Sequence, residues 1–231
     1  SPFGVNCKIT NSVNTIMVQD NATTNALTPA QIQVLTMNNT FSPVTSGTYK
    51  FITTTSLAGD IVNTNNVDSQ EIVVVDTTQM NIRLSLDDNS VNGAGLSWSG
   101  GNGGAGMEFV PPFYPCRVKQ LHFFIVANDS SYGFYAKVLA SGGPNGLPAN
   151  ILDSIFVPAS SVTINAWNNI TLATPIQIDS GSFFVSWNMG GNNITLGQDI
   201  NLPISNRSFE VLGNTWAIFR YRQTQDLMIN A

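Results

Sequence analysis

The chain has 231 residues, 42% of them hydrophobic and only 10% charged, with nine Lys and Arg and a formal net charge of -5. This balance excludes a nucleic-acid binder, which depends on clustered basic residues along a phosphate backbone, and no apolar stretch reaches the ~20 residues that a membrane-spanning helix needs. A chain of this length buries one large core or two smaller ones, and two modules are expected, over residues 1–76 and 77–231.

In the first module, Ile32 to Met37 reads as a strand, as does Thr48 to Thr53, where Tyr49 and Phe51 share a face. The β-branched run Glu71 to Val75 is a third strand, of the kind covered on both faces or leading into a neighbouring domain. Leu57 to Asn66 between them carries the turn formers Gly59-Asp60 and Asn65-Asn66. A small β-sandwich is the natural reading. Gly47-Thr48-Tyr49, Leu57, Gly59-Asp60 and Asn65-Asn66 together resemble the end of the immunoglobulin-like, CARDB-like modules of secreted bacterial proteins.

The second module opens on a glycine-rich segment, Gly93 to Gly106, ahead of Met107-Glu108-Phe109-Val110. A phosphate-cradling loop needs a Gly-Lys-Ser/Thr sequence and a following helix, and neither is present, so a surface loop or tight turn is expected. Strands then recur at short spacing. In Val118 to Val126, Leu121, Phe123 and Ile125 alternate with Val118, Gln120, His122, Phe124 and Val126. Gly133 to Leu139, Ser154 to Val157, Trp167 to Leu172, Ile176 to Ile178, Ser182 to Trp187, Ser208 to Leu212 and Ala217 to Tyr221 follow, broken by Gly, Pro and Asn. The fold class is therefore all-β: a small Ig-like sandwich, then a larger antiparallel jelly roll.

Phe109, the Val118 to Val126 strand, Gly146-Leu147-Pro148, Trp167, Gly181-x-Phe183-Phe184-Val185, Trp216 and the closing Asp226 to Ala231 are similar to the jelly-roll accessory modules of large secreted proteins of gliding bacteria. That resemblance implies a cell-surface or extracellular setting, export by type IX secretion and neighbouring modules on the same polypeptide. A start at Ser1-Pro2-Phe3 fits a mature fragment of something longer.

Candidates for chemistry are few. His122 is the one histidine, which rules out a multi-histidine metal site, and it lies mid-strand rather than on a loop. A hydrolase using His122, or an acidic pair such as Asp87 and Glu108, is the remaining catalytic reading, and no motif supports it. Asp87, Asp88 and Asp199, with Asn201 and Asp226, offer oxygen ligands for a structural calcium or simply cap turns. No other cofactor is expected.

Trp98, Trp167, Trp187, Trp216, Tyr132 and Tyr135 raise the question of stacking on sugar rings. Trp167 and Trp187 flank regular strands and are expected in the core. Trp98 lies in the glycine-rich loop, where exposure would make it a ligand contact, with Tyr132 and Tyr135 beside it as candidates. Asn-x-Ser/Thr triplets at Asn21, Asn38, Asn128, Asn169, Asn193 and Asn206 arise by chance in so Asn- and Thr-rich a chain. Cys7 and Cys116 either bridge the two modules or are small buried hydrophobes. The expectation is a non-catalytic spacer and adhesion segment with a glycan or surface protein as partner, or else a glycan-binding accessory domain of a secreted enzyme.

Overall fold

The structure is a computed structural model and describes residues 1–76, 78, 81–129 and 132–231. Thr77, where the second module is expected to begin, lies outside the described residues. The chain divides into two compact units, Ser1–Ile82 and Arg83–Ala231, and both are built from antiparallel strands. Among the described residues no helix is long and apolar enough to cross a membrane. Cys7 and Cys116 are free thiols.

The smaller unit holds one four-stranded antiparallel sheet in the order β2-β1-β3-β4, made of β1 (Gly4–Asn11), β2 (Ile16–Thr23), β3 (Gly47–Ser56) and β4 (Val67–Val74). Val5, Cys7 and Ile9 alternate along β1 and are buried on one face. Asn11 shapes the β1–β2 turn, its side-chain oxygen accepting the amides of Val13 at 3.2 Å and Thr15 at 2.8 Å. The β-branched run at the end of β4 is not a doubly covered strand: β4 is an edge, and Val73 is exposed.

Ile32 to Met37 is not a strand. Its alternation is real, since Leu35 and Met37 turn inward while Ile32 and Val34 stay almost fully exposed. What it lacks is a partner for its backbone ladder. The segment is held instead by side chains: Gln33 accepts the Asn25 amide at 2.8 Å, and the Asn39 side chain donates to the Gln19 carbonyl at 2.8 Å. Asp20 accepts the amides of Asn39 and Asn38, and these bonds hold its carboxyl below the usual range.

The larger unit is a two-sheet sandwich. One sheet has six strands in the order β14-β13-β5-β10-β7-β8: β5 (Gly103–Phe109), β7 (Phe134–Ala140), β8 (Ile151–Val157), β10 (Phe183–Met189), β13 (Ser208–Leu212) and β14 (Thr215–Ile218). The facing sheet centres on β6 (Cys116–Asn128), flanked by β9 (Ala166–Ile178) on one edge and by β11 (Ile194–Leu196) and β16 (Ile229–Asn230) on the other. A short pair, β12 (Gln198–Asp199) with β15 (Asp226–Leu227), completes the unit. From β5 to β7 and from β8 to β11, successive strands switch sheets, the Greek-key crossing of a jelly roll.

The core between the sheets takes Met107 and Phe109 from β5, Leu121, Phe123 and Ile125 from β6, Phe134 and Val138 from β7, and Val185 and Trp187 from β10. Val118 joins it too. A register shift between Val118 and Gln120 turns Val118 inward, off the face that simple alternation assigns it. Pro175 does not divide β9: among the described residues β9 pairs only with β6, and the missing N–H falls where that ladder is interrupted.

The glycine-rich segment is corrected as well. Its second half is not loop but β5, a central strand paired with β10 and β13. Its glycines answer to close neighbours: a Cβ at Gly104 would lie 2.6 Å from Asn188 Nδ2, and one at Gly106 would lie 3.1 Å from the Val185 carbonyl oxygen.

Candidate functional site

Strand register decides which side chains share the outer face of the six-stranded sheet. Paired residues point the same way, so one row across it reads Phe156, Tyr135, Asn188, Gly104, Val211, Trp216. The next row reads Ser154, Lys137, Ser186, Gly106, Phe209, Ile218. The middle is floored by small residues, with aromatic side chains toward both edges. Ser186 donates to Asn188 Oδ1 at 3.0 Å, which fixes the amide over Gly104.

Tyr135 and Phe156 are 42% and 51% exposed, with ring centroids 5.0 Å apart. Tyr132, also 42% exposed, lies against Gly191, and the Phe156 ring reaches Gly190 and Gly133. Exposed aromatic rings at this sheet corner are candidate ligand contacts. Half-buried Trp216 packs against a second apolar group, Leu139, Phe184 and Phe209, whose strand positions put it on this same outer face. Near it, the β14 end opens into a groove of about 690 Å³ that includes Ile218, Tyr221 and Arg222.

Lys137 stands inside this face, its ammonium 5.7 Å from the Tyr135 ring centroid. Partial burial pushes its pKa below the ordinary lysine value.

The other residues expected from the sequence fall elsewhere. Trp98 is not displayed by its loop: it is half-buried, packs against the main core and lies so close on Gly103 that a Cβ there would meet its ring at 2.2 Å. Trp187 is fully buried, as its pattern implies, and Trp167 is not a core residue. Trp167 sits on the outer side of the smaller sheet under the Arg83 guanidinium, 4.3 Å away, and donates from Nε1 to Asn89 Oδ1 at 2.7 Å.

His122 Nδ1 is 2.6 Å from Asn169 Oδ1 across the β6–β9 pair. Burial lowers its pKa, the Asn169 bond opposes the shift, and nearby Arg83 adds to it. The arrangement is that of a hydrogen-bonded sheet histidine.

Asp88 and Asp199 do meet, the Asp88 amide donating to Asp199 Oδ2 at 2.8 Å. Asn201 donates its amide to Asp199 Oδ1 at 2.9 Å and its side chain to Asp88 Oδ2 at 2.7 Å. Asp87 lies nearby, mostly buried, with Oδ1 accepting the Asn89 amide at 3.0 Å. Most oxygens of these carboxylates are turned onto protein donors, Asp87 Oδ2 being buried without one, and among the described residues no group of three or more His, Cys, Asp or Glu is placed to share one ion.

Asp199 and Asp226 face each other across β12 and β15, both buried. Burial raises the Asp226 pKa to about 6; two Ser205 hydrogen bonds oppose this, and the charges of Asp199 and Asp87 add to it. Between about pH 4 and pH 6 the folded state therefore holds a proton that the unfolded chain, titrating near 3.8, has lost, so stability falls as pH rises through that window. Asp226→Asn is expected to flatten this dependence. Relative to the native chain it should gain on the order of 1–3 kcal/mol more at pH 7 than at pH 4.5 in thermal melts; parallel curves would reject the assignment.

Phe156 and Lys137 belong to the face without any signal of their own in the sequence. Only the pairing of β7 with β8 and β10 brings them to Tyr135.

No protein-family model and no curated protein matches the sequence. Among solved structures, the cysteine protease and lectin-like domains of Cwp84, a surface layer associated protein of Clostridium difficile, align with a TM-score of 0.46 at 10% identity, over 79% of this chain and 45% of that one. The clostridial cysteine protease Cwp84 after propeptide cleavage aligns with a TM-score of 0.47 at 10% identity, over 98% of this chain and 64% of that one. This chain thus spans less than two thirds of either structure.

Proposed function

We propose that the larger unit is a non-catalytic glycan-binding module, and that its binding surface is the outer face of the six-stranded sheet around Tyr135 and Phe156. The observation that carries this reading is the exposed pair of rings 5.0 Å apart beside a row of small and amide-bearing residues. Flat aromatic rings present apolar area to the C–H faces of a pyranose, and neighbouring amide, hydroxyl and ammonium groups bond its hydroxyls. A rigid sheet holds such groups in place at little entropic cost on binding.

In this reading the smaller unit is a spacer, and the whole is part of a longer secreted or cell-surface bacterial protein, a setting supported by the resemblance to modules of gliding bacteria. Adhesion through a glycan then serves either attachment or the targeting of an enzyme carried on the same polypeptide.

The test is a glycan array probed with the full chain, alongside a variant with Tyr135 and Phe156 both changed to Ala. Binding to one group of glycans by the native chain, absent in the variant, is the expected result. Binding that persists unchanged in the variant would move the site elsewhere.

A further inference from the structure

Resting on the sugar-binding reading, we infer that the glycan taken by this face is acidic, with a carboxylate or sulfate group seated against Lys137. Lys137 lies in mid-strand, between Ser154 on β8 and Ser186 on β10 in the same row. Its ammonium forms no hydrogen bond or ion pair among the described residues, and Tyr135 is its one aromatic neighbour, at 5.7 Å. The position is half-buried, so the charge has given up part of its water without gaining a counter-ion. Ser154 on the β8 side is small and exposed, so a ligand oxygen can approach the ammonium from there, while Ser186 on the other side is buried with its hydroxyl bonded to Asn188. A neutral hydroxyl would hydrogen-bond the ammonium, but only an anion also balances its charge.

A second cation stands further along the face. The Arg222 guanidinium lies over the Phe209 ring at 5.1 Å, and its Nε donates to the Asn206 carbonyl, which leaves the terminal nitrogens for a ligand. Phe209 shares the row of Lys137 and is separated from it by Ser186 and Gly106. Three interstrand spacings amount to roughly 14 Å. Two cations on one face, at strands three spacings apart, match an extended polymer with repeated acidic groups better than a single sugar.

Affinity electrophoresis of the full chain tests this. The gels contain polygalacturonate, its fully methyl-esterified form, dextran sulfate or neutral dextran. Retardation by polygalacturonate that vanishes on esterification identifies a carboxylate, and retardation by dextran sulfate alone identifies a sulfate. In either case Lys137→Met should weaken binding by about tenfold or more while Lys137→Arg retains most of it, with thermal melts of both variants matching the native chain. Full retention by Lys137→Met overturns the placement. Equal retardation by the esterified or neutral polymer, lost in Tyr135→Ala, overturns the acidic ligand and leaves the sugar-binding reading standing. Retardation by no polymer overturns both.

Discussion

Replacing Trp187 with Ala is expected to destabilise the larger unit by about 3–5 kcal/mol, the range for deleting a large buried aromatic side chain, with a drop in Tm of about 10 °C or more. Trp187 is fully buried on β10, where Met107, Phe134 and Val185 belong to the same core. Its neighbours are strands on both sides of β10, which cannot collapse into the space without breaking ladders to β5 and β7. Trp187→Phe should cost much less. The indole Nε1 is buried and has no hydrogen-bond partner, so removing that N–H relieves an unmet polar group and offsets part of the lost packing. Chemical denaturation of the three chains checks this; equal costs for Phe and Ala would mean that packing in this core is looser than the fold implies.

Changing Tyr135 and Phe156 together to Ala is expected to weaken glycan binding by about 100-fold, and each single change by about tenfold, as for central aromatic contacts. The rings touch each other, so any coupling between them shows as a departure of the double variant from the product of the two single losses. Stability should change by only about 0.5–1 kcal/mol, because roughly half of each side chain is already in water. Titration calorimetry with a glycan identified on the array, together with melts, separates this outcome from simple unfolding. A tenfold loss of affinity at unchanged Tm supports the face as the site, whereas intact affinity in the double variant removes it.

Much of the larger unit was legible from period-two patterning. Leu121, Phe123 and Ile125 mark the inner face of β6 by alternation alone, and Phe183, Val185 and Trp187 do the same for β10. The strand Gly103–Phe109 was hidden for a physical reason: the demand for glycine at 104 and 106 comes from close approach of β10, at Asn188 for 104 and at Val185 and Ser186 for 106, which are distant in sequence. Ile32 to Met37 failed in the opposite direction. There the pattern exists, but strand formation also needs an available edge, and pattern does not encode one.

The candidate site was half visible. Tyr132 and Tyr135 stand out as aromatics near turns, while Phe156 and Lys137 acquire meaning only from cross-strand register. Trp98 misled because glycines on both sides read as loop, although one of them, Gly103, is the surface on which the indole lies.

The central claim concerns a surface, and mapping that surface by backbone amide chemical shifts during titration with a bound oligosaccharide tests it most directly. The account predicts that perturbations concentrate on β7, β8 and β10 around Tyr135, Lys137, Phe156 and Asn188, and extend to the Trp216 indole. Perturbations confined to the glycine-rich loop around Trp98, or to the smaller sheet around His122 and Trp167, would contradict it.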